Sequence, residues 1–428
     1  MKSGVTMRYC ARCVYPENAK PTIIFDEEGV CSGCRAHEKL KKMEWKDKED
    51  LFKNILEEYS KKSRENGSPY DCIIPVSGGK DSLYQTYIIK KVYGYNPLLV
   101  SYNHGYNTKR GIRNLTNMVQ QMGCDLVRYT TNPDSARKIS RYMLKKVGDI
   151  TWHYHAGITT FPLKAAVMYK TPLVIWGEHG FADLVGMYDQ EDMIEFSKKC
   201  RQEHSMRGFE PEDILNDPEN KDIKEVDLAP FYYPTDEEIE AVGVRGIYVA
   251  NFIKWDARKQ TRLMIDKFNF ETALQRERTF HLYDKLDDIH ANGTHDYLKY
   301  LKFGYGRATD DASNDIRHGR MTREEGIEMV SKFDPVRPSD LDIFLKFVGM
   351  SEKEFLDAIE HMRDPRIWEK NANGEWVVKD SVANHANDPD VEKARVPQVD
   401  DREILKSKNQ PKYSRDDHVP EDTEYIWL

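Results

Sequence analysis

The sequence predicts an α/β protein: a doubly wound parallel sheet, with a zinc-ribbon-like cysteine module ahead of it and a helical region behind. Three observations carry this. Apolar runs of strand length alternate with helix-length segments between residues 70 and 176. Two Cys-x-x-Cys pairs fall within the first 34 residues, and the chain past residue 255 carries mainly helical periodicity. The segments divide as 1–45 (four-cysteine module), 46–255 (α/β unit), 256–380 (helical, substrate-binding) and 381–428 (polar tail).

Each element follows in order. Residues 46–66 repeat apolar side chains at Leu51, Ile55, Leu56 and Tyr59, the period of an amphipathic helix, which Gly67-Ser68-Pro69 stops. Tyr70–Val76 is a short buried strand, followed by a glycine turn and a helix over Ser82–Val92. Pro97–Tyr102 and Asp125–Tyr129 are further strands, separated by a helix over Lys109–Met122. Asn132-Pro133-Asp134 is a helix start, with a capping Asn and Pro at the first helical position. A helix over Thr160–Tyr169 leads to a fourth strand, Pro172–Trp176. Strands separated by helices of this length imply right-handed crossovers and a parallel sheet. Residues 190–225 are polar insertions, 255–335 are helix-rich, and 338–362 hold two short amphipathic helices. After Asp380 the chain is polar and proline-punctuated until Tyr425-Ile426-Trp427-Leu428.

Composition restricts the function classes. The 428 residues are 39% apolar and 32% charged, and the longest near-apolar run, Pro172–Trp176, is far short of the roughly 20 residues of a membrane span. The formal net charge of −8 weighs against a dedicated nucleic-acid binder, whose affinity comes mostly from phosphate neutralisation. Seven cysteines, with no apolar leader at the N-terminus, point to a reducing compartment, and a cytoplasmic protein is expected.

Two motifs carry chemistry. Ser77-Gly78-Gly79-Lys80-Asp81-Ser82 lies directly between a strand and a helix. Two glycines let backbone N–H groups approach an anion, the helix N-terminus favours negative charge, and the Ser hydroxyls and Lys80 add donors. Ile74 at the first glycine position and Asp81 after the lysine exclude a Walker A loop. A carboxylate such as Asp81 beside phosphates suits Mg²⁺, and Lys80 would neutralise a leaving group. The second motif, Cys10-x2-Cys13-x17-Cys31-x2-Cys34, has the spacing of a tetrahedral Zn²⁺ site, with an iron–sulfur cluster as the alternative. A module this small needs a metal to fold.

Three weaker candidates accompany them. The polar stretch Lys302–Arg320 gathers Lys302, Arg307, Asp310, Asp311, Arg317 and Arg320. It is either a solvated surface loop or a cradle over the carboxyl ends of the strands that recognises a polar ligand, its arginines binding a diphosphate or carboxylate and Lys302 stabilising transition-state charge. Glu178 and Asp183 stand at and beyond the end of the fourth strand, where open α/β sheets place ligands, and are Mg²⁺ candidates beside Asp81; a loop cap or salt bridge is the alternative. Trp152-His153-Tyr154-His155 lacks a third ligand, so core or surface aromatics are expected rather than a metal pair.

The Ser77–Ser82 loop resembles that of the pyrophosphate-loop (PP-loop) ATP pyrophosphatases, of the adenine nucleotide alpha hydrolase fold type. With Asn103-His104-Gly105-Tyr106-Asn107-Thr108, Thr159–Lys164, Gly177-Glu178-His179-Gly180, the Lys302–Arg320 stretch and the cysteine pairs, the chain over residues 8–370 is similar to the N-acetyl sugar amidotransferases of surface-polysaccharide biosynthesis. That resemblance implies ATP bound by Ser77, Gly78, Gly79, Lys80, Asp81, Ser82 and Asn103, with Lys80, Asp81 and Lys302 catalytic. It implies an N-acetyl group on a nucleotide-activated sugar, adenylated at its amide oxygen and converted by ammonia to an acetamidino group. No glutaminase signature stands in the sequence, so ammonia is expected from a separate glutaminase working with a cyclase-like (β/α)8-barrel subunit. The alternative is a PP-loop tRNA-thiolating enzyme, which would want a basic surface and a cysteine pair near the adenylate.

Overall fold

The computed structural model describes residues 6–189, 191–272, 277–281 and 290–392, so the expected tail beyond residue 392, including its terminal aromatic cluster, lies outside the described residues. Five parallel strands form the sheet: β1 (Cys72–Pro75), β2 (Pro97–Asn103), β3 (Leu126–Thr130), β4 (Leu173–Trp176) and β5 (Arg245–Tyr248), in the order β3-β2-β1-β4-β5. The order reverses between β1 and β4, so their carboxyl ends border the crevice where open sheets bind ligands. Four strands stand where the apolar runs predict them. The fifth, Arg-Gly-Ile-Tyr, is four residues long with little apolar signal, and pairing along β4 makes it a strand.

Helices cover both faces. On one, Leu163, Ala165 and Ala166 of α6 (Trp152–Met168) pack on Ile73, Leu98, Val100 and Val174. On the other, Phe52, Ile55 and Leu56 of α2 (Trp45–Glu65), Leu83 of α3 (Lys80–Tyr87) and Leu115 and Met118 of α4 (Lys109–Met122) pack on Ile74, Leu99, Leu173 and Ile175. The helix α5 (Pro133–Val147) starts at Asn132, whose side chain accepts from the Asp134 N–H. The sequence expectation for α6 is corrected at its start. The helix runs from Trp152, through Pro162, and not from Thr160. Its first two turns are buried on several sides, so no amphipathic period marks them, and Trp152, His153 and Tyr154 are core residues.

The N-terminal module and the C-terminal helices share cores with the rest. Cys10, Tyr15, Val30 and Cys34 pack with Ala312, Ile316 and Val330. Leu298, Phe344 and Phe355 pack with Ile139 and Met143 of α5 and with Trp152. The helix α1 (Ser32–Lys42) crosses α7 (Gly180–Val185) closely: a Cβ on Gly33 would sit 2.8 Å from the Leu184 carbonyl oxygen and collide with the Arg317 guanidinium. No helix among the described residues is long and apolar enough to cross a membrane.

Candidate active site and four-cysteine centre

The Ser77–Ser82 turn joins β1 to α3 at the switch point of the sheet. Gly78 has φ +99°, and a Cβ there would lie 2.7 Å from the Gly111 carbonyl oxygen, so the loop can pass α4 only with glycine. Gly79 caps α3, its N–H donates to Ser77 Oγ at 3.1 Å, and Ser82 Oγ donates to the Gly79 carbonyl at 2.9 Å. These bonds fold the loop onto the start of α3, whose first-turn amides have no partner within the helix. Lys80 is 2% exposed and its Nζ lies 2.6 Å from Asp81 Oδ1. A buried ammonium and one carboxylate therefore meet at a helix N-terminus, beside backbone donors. That set of groups suits a polyphosphate with its cation.

Across the switch point, Gly177 and Glu178 follow β4. A Cβ on Gly177 would stand 3.2 Å from the Trp255 ring and 3.4 Å from Gln85 Oε1 of α3, so this turn passes close to the loop helix. Glu178, His179 and Ala182 line a cavity of about 240 Å³ with His37, Lys41, Asn251, Trp255 and His318. Burial, then Lys41, holds His37 down to about 3, so the imidazole stays neutral; its ring is 4.4 Å from that of His318. Trp255 Nε1 and His179 Nδ1 are buried polar atoms without a hydrogen-bond partner among the described residues. Both belong to residues lining this cavity. Asp183 falls within α7, and its side chain lies outside the described residues. Asn103 ends β2, where it is buried and braces the following turn, accepting from Gly105 N–H and Asn107 Nδ2.

A second cavity, of about 430 Å³, is also bordered by α7. Phe181 and Met187 line it with Lys20, Asp149, Glu203, His204, Arg207, His295, Lys299 and Lys302. Lys302 therefore faces a cavity, and its Nζ donates to the Gly148 carbonyl at 2.8 Å.

The rest of the Lys302–Arg320 stretch departs from the expected cradle. Past Phe303 it is a helix, Arg307–Arg317, and most of its charges are spent on buried partners. Arg307 pairs with Asp296 at 3.3 Å, Asp310 with Lys299 at 2.6 Å and with the Tyr15 hydroxyl at 2.7 Å, and Asp311 accepts from Thr279 at 2.5 Å. Arg320 Nη2 lies 2.7 Å from Asp256 Oδ2. Arg317 donates to the Leu184 carbonyl at 2.7 Å and reaches Cys31 Sγ at 3.7 Å. The helix stitches the cysteine module to the α/β unit, which polar composition alone does not distinguish from ligand recognition. The sequence signal for this packed helix is the Thr309–Ala312–Ser313–Ile316 stripe of small and apolar residues at helical spacing.

At the N-terminus the four sulfurs converge, all within 4.8 Å of one another, with Cys13 and Cys31 Sγ 3.6 Å apart. A tetrahedral ion with Zn–S bonds of about 2.3 Å needs S···S near 3.8 Å. The backbone N–H groups of Arg12, Cys13 and Cys31 approach Cys10 Sγ at 3.3–3.4 Å, as donors do to a thiolate. The donor set fits a tetrathiolate metal, and the cluster is capable of binding zinc. With four ligands it keeps no open position.

Comparisons with known proteins bear on the helical region first. Residues 275–382 match the family model described as "LPS biosynthesis protein WbpG-like, C-terminal domain". The chain carries a WbpG-like C-terminal domain. This bears out the resemblance to a surface-polysaccharide family, on about a quarter of the chain. A curated relative, the uncharacterized protein MJ1599 of Methanocaldococcus jannaschii, is 27% identical over 154 residues, covering 33% of this chain and 54% of that protein. The chain thus spans about half the length of the relative it matches. Among solved structures, the chain is similar to the NH3-dependent NAD synthetase of Campylobacter jejuni (12% identity, 34% of this chain and 62% of that one, TM-score 0.25). It is also similar to the NMN synthetase of Francisella tularensis (14%, 47% and 82%, TM-score 0.27). The U34-tRNA thiolase NcsA of Methanococcus maripaludis, with its [4Fe-4S] cluster, is a third (16%, 44% and 62%, TM-score 0.21). Likenesses of this size carry no inference about chemistry.

Proposed function

We propose that the WbpG-like chain is the ATP-using synthetase subunit of an amidotransferase that turns the N-acetyl group of a nucleotide-activated sugar into an acetamidino group. The observation that supports it most is the Ser-Gly-Gly-Lys-Asp-Ser turn at the switch point of the parallel sheet, in a chain that also carries an LPS-biosynthesis domain. The loop amides, Ser77, Ser82 and Lys80 hold the β- and γ-phosphates of ATP, and the helix dipole of α3 adds to their field. Asp81, with Glu178 and Asp183 as further candidates, holds the Mg²⁺ that neutralises the polyphosphate. The acetamido oxygen of the sugar attacks the α-phosphorus and expels pyrophosphate. Ammonia then adds to the imidate carbon, a proton is lost and AMP departs. Adenylation is required because an amide oxygen is a poor leaving group until it carries AMP. Ammonia comes from a separate glutaminase docked through a cyclase-like barrel, and the reaction runs in the cytoplasm, where ATP is available. Zinc at Cys10, Cys13, Cys31 and Cys34 is architectural.

The test is product analysis by mass spectrometry. AMP and pyrophosphate should form in equal amounts only when MgATP, an N-acetylated nucleotide sugar and ammonium are all present, with a sugar product lighter by about 1 Da, as oxygen is exchanged for NH. Pyrophosphate release with tRNA and not with any nucleotide sugar would overturn the reading.

A further inference from the structure

The second cavity concentrates positive charge that the described residues leave partly uncompensated. Lys20, Arg207, Lys299 and Lys302 face Asp149 and Glu203 across it. Internal pairing accounts for some of that charge. Lys299 Nζ lies 2.6 Å from Asp310, and Arg207 Nε lies 3.1 Å from Asp149 Oδ2. The other Asp149 oxygen accepts from the Thr151 N–H and Oγ at 2.6 and 2.5 Å, so it is occupied too.

Lys302 is different. It is half-buried, its Nζ has one carbonyl partner, Gly148, and among the described residues no carboxylate lies within ion-pair distance. Withdrawing an ammonium from water without a counter-charge is costly, and the burial that imposes this cost also draws Lys302 down to about 8. The neighbouring Arg207 uses Nε and Nη1, on Asp149 and the His204 carbonyl, which leaves Nη2 without a partner among the described residues. Arg207 also has φ +56°, a left-handed conformation unusual for a residue with a side chain. Two cationic groups thus border one cavity large enough for a small molecule.

We propose that this cavity receives the anionic part of the acceptor, a diphosphate or a sugar carboxylate, with Lys302 and Arg207 as its charged contacts and the exposed Lys20 beside them. The inference rests on the reading above that the acceptor is an activated sugar. Position supports it. Phe181 lines this cavity, His179 lines the other, and their rings meet edge to face, 5.7 Å apart, at the start of α7. An acceptor anchored by its anion here lies next to the cavity at the carboxyl ends of β4 and β5, across that ring contact. Lys302, expected from sequence to stabilise a transition state, becomes a binding group, and the arginines that the sequence assigns to the anion, Arg307, Arg317 and Arg320, are replaced in that role by Arg207.

Isothermal titration of the full chain with UDP, UDP-N-acetylglucosamine, glucuronate and N-acetylglucosamine tests this, with Lys302→Met, Lys302→Arg and Arg207→Gln compared with wild type. Lys302→Met and Arg207→Gln should each weaken at least one anionic probe, UDP-N-acetylglucosamine or glucuronate, at least tenfold, Lys302→Arg should restore most of that binding, and MgATP binding should stay within twofold. UDP binding that is sensitive to both variants identifies the diphosphate as the anion. Glucuronate binding with that sensitivity identifies the carboxylate. Thermal melts establish that each variant is folded, and Lys302→Arg serves if Arg207→Gln is not. Unchanged binding in both charge-removing variants, or a wild-type chain that binds none of the anionic probes, overturns the assignment. Variant-sensitive binding without AMP formation would overturn the amidination reading and leave the cavity assigned. AMP formation with an acceptor KM indifferent to both variants would do the opposite.

Discussion

Gly78→Ala tests the loop geometry most directly, because two separable costs act on one added methyl group. The first is conformational: at φ +99° a residue with a Cβ is strained by about 1–2 kcal/mol. The second is steric. The new Cβ would stand 2.7 Å from the Gly111 carbonyl oxygen and 3.2 Å from Leu115 Cβ. Gly111 cannot retreat cheaply, since it lies in the first turn of α4 and its N–H is held by the Thr108 cap at 2.9 Å. Overpacking of this kind costs about 1–3 kcal/mol, so the total loss should be about 2–5 kcal/mol. Gly67→Ala is the control for strain alone: φ is +83° and no atom lies within 4 Å of its Cβ. It should cost about 1–2 kcal/mol and leave nucleotide binding untouched. Urea unfolding gives the stability of both variants, and titration with MgATP gives the affinity. If the Gly78→Ala loop relaxes away from α4 to escape the clash, the loss moves from stability to an ATP affinity lower by tenfold or more, about 1.4 kcal/mol. A Gly78→Ala protein with under 1 kcal/mol of lost stability and an unchanged ATP Kd would refute the described loop.

Four further outcomes are expected. Asp81→Asn should abolish pyrophosphate release while the protein stays folded; turnover within about threefold of wild type, well under 1 kcal/mol of barrier, would remove Asp81 from the chemistry. Purified protein should carry about one zinc per chain by elemental analysis, and Cys31→Ser should lose it; iron with visible charge-transfer absorption would replace zinc by a cluster. Arg317→Met should speed zinc release to a chelator, because a guanidinium 3.7 Å from Cys31 Sγ offsets the net negative charge of four thiolates, and an unchanged release rate would contradict that role. Burial raises the Asp340 carboxyl to about 7, where it accepts from Gly293 N–H and Thr294 Oγ. Because the folded value lies above the unfolded value of about 3.9, the stabilisation is complete below pH 4 and is lost as pH rises to 7, up to about 4 kcal/mol. The melting temperature of Asp340→Asn relative to wild type should therefore rise across that window, and parallel melting curves at every pH would disprove it.

The elements legible along the chain are those whose signal is local. Strand-length apolar runs, the Asn132-Pro133 helix start, the Ser-Gly-Gly-Lys-Asp-Ser turn and the cysteine spacing each follow from neighbours in the chain, and each stands where it was expected. Other features depend on partners far away in the chain. Arg245–Tyr248 is a strand because β4 offers it an edge, and the first turns of α6 are helical within a core that hides their period. The charges of Arg307–Arg320 could be a solvated face, a ligand cradle or a buried network, since composition is the same in all three. Asp296, Lys299, Asp256 and Cys31 decide the matter, and Arg317 reaches Cys31 across 286 residues of chain. Arg207 is the converse case. Nothing adjacent in sequence marks it, and only the fold brings it to the cavity that Phe181 of α7 and Lys302 also line. A charge acquires its role from the counter-charge it meets, and in a folded chain that group is seldom a neighbour in sequence.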